Sequence, residues 1–178
     1  MLESIKQHGR DDEQGFTLIE LMVVVLIIAI LLAIAIPTFL GATKSANARS
    51  SQSNLRNSLT AEQSYWTDNQ LFTATGATLQ AIEPSIGWST GAVATEGGNT
   101  VSVTLGTNTT AGDTVFLQAY AKDGNCYTIV QTNDPAITAA QHTGYSVVSG
   151  ACAVPTTLTF PTVNSGKAVA GGGFYQSW

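Results

Sequence analysis

An isolated carboxylate at the head of an apolar run is the first group in this sequence that demands a chemical explanation. Glu20 stands between Ile19 and Leu21, directly ahead of sixteen consecutive apolar residues, Leu21 to Ile36 (LMVVVLIIAILLAIAI). An acidic side chain inside membrane hydrocarbon costs about 2.5–3.5 kcal/mol on insertion scales and marks function by default. Such a group is relieved either by a shallow position that lets it reach lipid headgroups, or by a cation brought to it within an apolar assembly. The cheapest local cation is a new α-amino group, created if the chain is cut just before Phe16. Gly15 suits such a cut, because it has no side chain to obstruct a protease.

Other chemistry-bearing residues are sparse. The chain of 178 residues is 44% hydrophobic and only 11% charged, with a net charge of -5, against about 25% charged in a typical soluble domain. That balance argues against a protein held to nucleic acid by bulk electrostatics, and no nucleic-acid partner is expected. Cys126 and Cys152 are the two cysteines; two thiols cannot form a four-thiolate zinc site. His8 and His142 are the histidines, and a cut after Gly15 would leave His142 alone. No G-x-S-x-G nucleophile elbow occurs. Gly171–Gly173 lacks the following Lys-Ser/Thr of a phosphate loop. The acids Glu62, Asp68, Glu83, Glu96, Asp113, Asp123 and Asp134 show neither paired nor EF-hand spacing. No catalytic centre, metal or cofactor is therefore expected. Asn108-Thr109-Thr110 fits a glycosylation acceptor.

The elements that must carry these residues follow from patterning. Phe16 to Leu40 is a 25-residue stretch, about 37 Å as a helix and longer than the roughly 30 Å hydrocarbon core of a bilayer. It is apolar on every side, so lipid or further copies of itself are its natural solvent. A secretory signal peptide with Lys6 and Arg10 as its charged head is the competing reading. The run exceeds the usual 7–15 residues of a signal core, however, and no A-x-A-like exit follows it. Positive charges flank both ends, Lys6 and Arg10 before and Lys44, Arg49 and Arg56 after, so they do not orient the span.

The helix is expected to continue to about residue 69. Pro37 removes a backbone donor and crowds the carbonyl of Ala33, and Gly41 adds freedom, so a kink is expected between them. Residues 42–69 contain no Pro or Gly. Leu55, Leu59 and Trp66 fall within about 40° on a helical wheel, with Glu62 and Arg49 outside or at the margin of that stripe. Residues 73–100 read as an irregular connection. Strands are expected at 101–105, 114–121, 126–131 and 145–148, with Asp123-Gly124-Asn125 as a hairpin turn. The tail from Pro155, rich in Pro, Thr and Gly, reads as flexible around Gly171–Gly173.

Gly15-Phe16-Thr17-Leu18-Ile19-Glu20-Leu21-Met22-Val23-Val24-Val25, the apolar run and Pro37 together resemble the N-terminus of type IV prepilins and type II secretion pseudopilins, over about residues 10–45. The resemblance implies an α+β fold, a long N-terminal helix packed by its second half on a small antiparallel sheet. It implies a leader, residues 1–15, that stays cytoplasmic; a membrane and assembly helix, 16–40; and a globular head, 41–178. A prepilin peptidase would cut between Gly15 and Phe16 and methylate the amine of Phe16. Glu20, the fifth residue after the cut, would pair with the amine of a neighbouring subunit during polymerisation. The leader departs from the family's basic pattern, with Glu3, Asp11, Asp12 and Glu13 against Lys6 and Arg10. The implied partners are further copies of the chain in a helical filament, the peptidase, the assembly platform and minor pilins. The implied location is the inner or cytoplasmic membrane, N-terminus inside, and then the cell surface.

Beyond a membrane, in an oxidising setting, Cys126 and Cys152 are expected to form a disulfide; in a reducing compartment they would be two buried thiols. The family commonly closes a C-terminal segment with a disulfide. Major pseudopilins typically carry a late carboxylate calcium site, whereas no Asp or Glu follows Asp134 here. The pilus subunit is therefore the favoured reading, and the pseudopilin of a secretion or DNA-uptake machine the alternative.

Overall fold

The computed structural model describes residues 15–90, 99–107, 111–135, 142–153, 163–167 and 173–178. The chain divides into two compact units, Met1–Gly41 and Ala42–Trp178, and each is described by itself. The acceptor motif at Asn108 and most of the leader lie outside the described residues.

Helix α1 runs Leu18–Asn69. In the first unit it is apolar on all sides, and its most apolar stretch has no buried residue. Leu21, Leu26, Leu31 and Ile34 all keep more than half of their surface exposed. This stretch is long and apolar enough to cross a membrane, where a helix satisfies every backbone group internally. The helix continues through Pro37. Pro37 cannot donate to the carbonyl of Ala33, and the next hydroxyl turns back into the helix: Thr38 Oγ1 donates to the carbonyls of Ile34 (3.2 Å) and Ala35 (2.9 Å).

In the second unit the same helix becomes one-sided. Ser51, Leu55, Ser58 and Glu62 are buried, spaced four, three and four residues apart, which is one face of a helix. Leu59 and Trp66 pack at its edge. Glu62, expected outside or at the margin of the apolar stripe, is completely buried. It follows Leu55 by seven residues, two turns, and so stands only about 20° from it. The helix stops at Gln70, whose φ of 58° is left-handed. The Gln70 amide donates to the carbonyl of Trp66 (2.7 Å), a left-handed helix stop. The chain then doubles back, and the amide of Phe72 donates to the carbonyl of Gly112 at 2.9 Å.

Residues 73–100, expected as irregular, contain a short helix α2, Gly76–Ile82, and a strand β1, Gly87–Thr90. The further strands are β2 (Thr100–Thr107), β3 (Ala111–Tyr120), β4 (Asn125–Thr132), β5 (Thr143–Ser149), β6 (Val163–Lys167) and β7 (Phe174–Ser177). They form one sheet in the order β1-β2-β3-β4-β5-β7-β6. The four expected strands are its centre, and they pair antiparallel. The edges differ from the expectation: β1 lies parallel to β2 and β6 parallel to β7. The tail thus contributes two strands. Gly144 admits them, because a Cβ there would stand 3.0 Å from both Val130 and Val163 and 3.2 Å from Phe174.

Alternation along the central strands sends one set of residues toward the helix. Val103, Leu117, Ile129 and Tyr145 stand opposite one another across four strands. With Leu55, Phe72, Leu79 and Ile86 they belong to one core. Trp178 packs edge-on against Tyr127 and Tyr145, at 5.3 and 5.2 Å between ring centres.

Candidate assembly and processing site

The N-terminal motif is arranged for access and capping. Gly15, Phe16 and Thr17 precede the helix. Phe16 is 91% exposed, and no described residue lies within 4 Å of the place where a Cβ on Gly15 would stand. Neither side-chain position is covered by another described residue.

Glu20 has a partner within its own chain. Its Oε2 accepts from the amide of Thr17 (2.9 Å) and from the Thr17 hydroxyl (2.6 Å), while the Glu20 amide donates to Thr17 Oγ1 (3.3 Å). This is the reciprocal capping box of a helix N-terminus, with Thr17 as cap and Glu20 three residues later. Its signal in the sequence is Thr-x-x-Glu before an apolar run, a local role for Glu20 that was not among the expectations above. The carboxylate stands at the positive end of the helix dipole as well. The side chain is exposed, so the isolated chain leaves it able to meet a second partner.

The remaining candidates lie elsewhere. Cys126, at the start of β4, and Cys152, just past β5, form a disulfide with Cα atoms 5.0 Å apart, and both are buried against Tyr120. The neighbouring hairpin turn is built as expected. The Gly124 amide donates to Ala121 and the Ala121 amide to Asn125, each at 3.0 Å, with Gly124 at φ 86°. Asp123 closes it, accepting from the Asn125 amide (3.0 Å) and the Tyr127 hydroxyl (2.6 Å). Burial, and then the bond to Asp123, raise the Tyr127 phenol above its ordinary range. Gly41 meets nothing within 4 Å of a notional Cβ. Arg49 and Arg56 are exposed. His142 is half-buried, its carbonyl accepting from the Thr132 amide at 2.9 Å. Among the described residues no group of three or more His, Cys, Asp or Glu is placed to hold a metal ion.

Comparison with known proteins bears on the N-terminal motif. Residues 10–36 match the prokaryotic N-terminal methylation motif. The chain is 41% identical over 69 residues to the type IV wide pilus major component PilA4 of Thermus thermophilus, covering 39% of this chain and 53% of that protein. It is 42% identical over 59 residues to the type IV major pilin protein PilA of Myxococcus xanthus, covering 33% of this chain and 27% of that one. The chain thus spans about half the length of the first relative and about a quarter of the second.

Proposed function

We propose that this chain, a type IV pilin by its N-terminal motif and its similarity to known major pilins, is a structural subunit of a surface filament. Its task is then mechanical, not enzymatic. The leader, residues 1–15, is removed by a prepilin peptidase after Gly15, and the new amine of Phe16 is methylated. Residues 16–40 hold the subunit in the membrane and later pack in the filament, while 41–178 form the head. Pro37 and Gly41 are the places where the helix yields on assembly. The assembly platform and minor pilins receive the processed subunit, which passes from the inner membrane to the cell surface.

The observation that carries this reading is the contrast within the first unit. A ring of exposed apolar side chains from Phe16 to Leu40 contains a single carboxylate at its start. Apolar surface of this extent has to be covered by lipid or by protein. Within an apolar bundle, a free ammonium and a free carboxylate are each expensive, and pairing cancels much of both penalties. The pair forms at one axial offset only, so it sets register even where it adds little net stability.

The capping box makes a sharp test possible. Glu20→Gln keeps an acceptor for Thr17 but loses the charge; Thr17→Ala keeps the charge but loses the cap. Pairing to a neighbour's amine requires that Glu20→Gln inserts normally and yields at least tenfold fewer filaments by electron microscopy, while Thr17→Ala still assembles. The reverse outcome would make Glu20 a helix cap and nothing more. Mass spectrometry of protein from its host should find a chain beginning at N-methylated Phe16. Long surface fibres mark a pilus; processed subunits without such fibres would favour a pseudopilin of a secretion or DNA-uptake machine.

A further inference from the structure

The filament reading makes no use of Glu62, the second carboxylate of α1. Its side chain has no exposed surface. Oε2 accepts from the amide of Thr73 at 3.2 Å, and Oε1 has no hydrogen-bond partner among the described residues. One amide is a poor replacement for the water a carboxylate would hold, and burying an ionised group with so little compensation is costly. The partner is informative too. Thr73 lies on the return segment, residues 70–75, by which the chain leaves α1 and reaches α2. The segment is also tied by the Phe72 amide to the carbonyl of Gly112 on β3, by the Gln70 amide to the carbonyl of Trp66, and by the Phe72 ring buried in the core, so Thr73 is the part that Glu62 itself holds.

We propose that Glu62 is carried in the folded head as the neutral acid and acts as a proton-dependent clamp on Thr73, which it holds until the ionised carboxylate, short of water, breaks the contact. Once ionised, the carboxylate gains most by reaching water. Displacing Thr73 from Oε2 opens that path while Phe72 stays in the core and the central strands stay paired, a local opening and not a global one.

Charged neighbours do not rescue the ionised form. Within two turns on α1 the ionisable groups are Arg56, Tyr65 and Asp68; the return segment and α2 carry none, and Glu83 follows α2. On the strand side stand Asp113, beside the Gly112 that holds Phe72, and Asp134 and His142 beyond β4. The balance on Glu62 is set by burial, which favours the acid, and by the Thr73 amide, which opposes it, and the carboxyl is pushed up from 4.5 to about 8. The folded state therefore holds one proton more than the unfolded chain between those two values. The stabilisation is complete below about pH 4.5, declines as pH rises, and is gone above about pH 8.

The test uses the full-length chain in detergent micelles. A carbon-13 titration of the Glu62 carboxyl should show a midpoint between pH 7 and 9, and a midpoint below 5.5 overturns the proposal. Amide exchange supplies the second readout. At pH 9, wild type should exchange at Thr73 about tenfold or more faster than Glu62→Gln, with the amides of Phe72, β3 and β4 alike in the two proteins. Equal exchange at Thr73 overturns the clamp. Should Glu62→Gln fail to fold, the wild-type titration still decides, and wild-type exchange at pH 6 and 9, corrected for intrinsic rates, replaces the comparison.

Discussion

The two halves of α1 share one backbone conformation and almost nothing else. From Leu18 to Gly41 apolar side chains cover every side of the helix, with Glu20 near its start, and the most apolar stretch has no buried residue; from Ala42 to Asn69 polar residues return and burial follows one face. Each half carries a glutamate. In the first half Glu20 is exposed and hydrogen-bonded to its own helix cap; in the second Glu62 is sealed with one oxygen unpartnered. The lesson is that helix formation says little about environment. The angular distribution of apolar residues decides what covers the helix, and the environment decides what a carboxylate can do there.

That contrast can be broken by experiment. The largest effect belongs to the disulfide. Replacing Cys126 and Cys152 together by Ser should lower the stability of the head by about 3.5 kcal/mol on the chain-entropy model, read as a shifted urea midpoint of the full chain in micelles. Helix content of the apolar half should be unchanged; its loss would show that the two halves are coupled. Leu55→Ala, in the buried face, should cost about 3 kcal/mol by leaving a cavity. Leu26→Ala, in the exposed half, should leave the same unfolding transition in place. Equal losses from the two leucine variants would erase the distinction between the halves.

Smaller effects sharpen it. Gly144→Ala should cost about 2 kcal/mol through overpacking against Val130, Val163 and Phe174, and calorimetry would register it as a lower unfolding temperature. A neutral result would mean that β6 and β7 contribute little to the head. Thr17→Ala should cost about 1 kcal/mol of local helix stability. It should speed amide exchange at Leu18–Glu20 and leave the head transition untouched.

Much of this organisation could be read before any coordinates. Sixteen apolar residues in a row require a helix in an apolar medium. The strand-favouring runs Thr114 to Ala121 and Cys126 to Gln131, with Asp123-Gly124-Asn125 between them, encode a hairpin through near neighbours. The capping box is equally local and was equally legible, as Thr17 and Glu20 are three residues apart. Edge strands were harder. Gly87–Thr90 and Val163–Lys167 are short and have little alternation of their own, and each is held by a parallel neighbour.

What the sequence by itself determined, then, is whatever depends on residues within a few turns of one another: the apolar helix, the Gly15 without a side chain before Phe16, the hairpin at Asp123-Gly124-Asn125 and the two thiols available for a bridge. Tertiary structure alone decided which strands flank the sheet and in which direction, and that the Cys126 and Cys152 sulfurs meet. It also decided that Glu62 is buried beneath the return segment. A wheel places Glu62 beside Leu55, but only the arrival of Thr73 and the core behind it removes the water. Periodicity is a property of one segment; desolvation is a property of everything that folds over it.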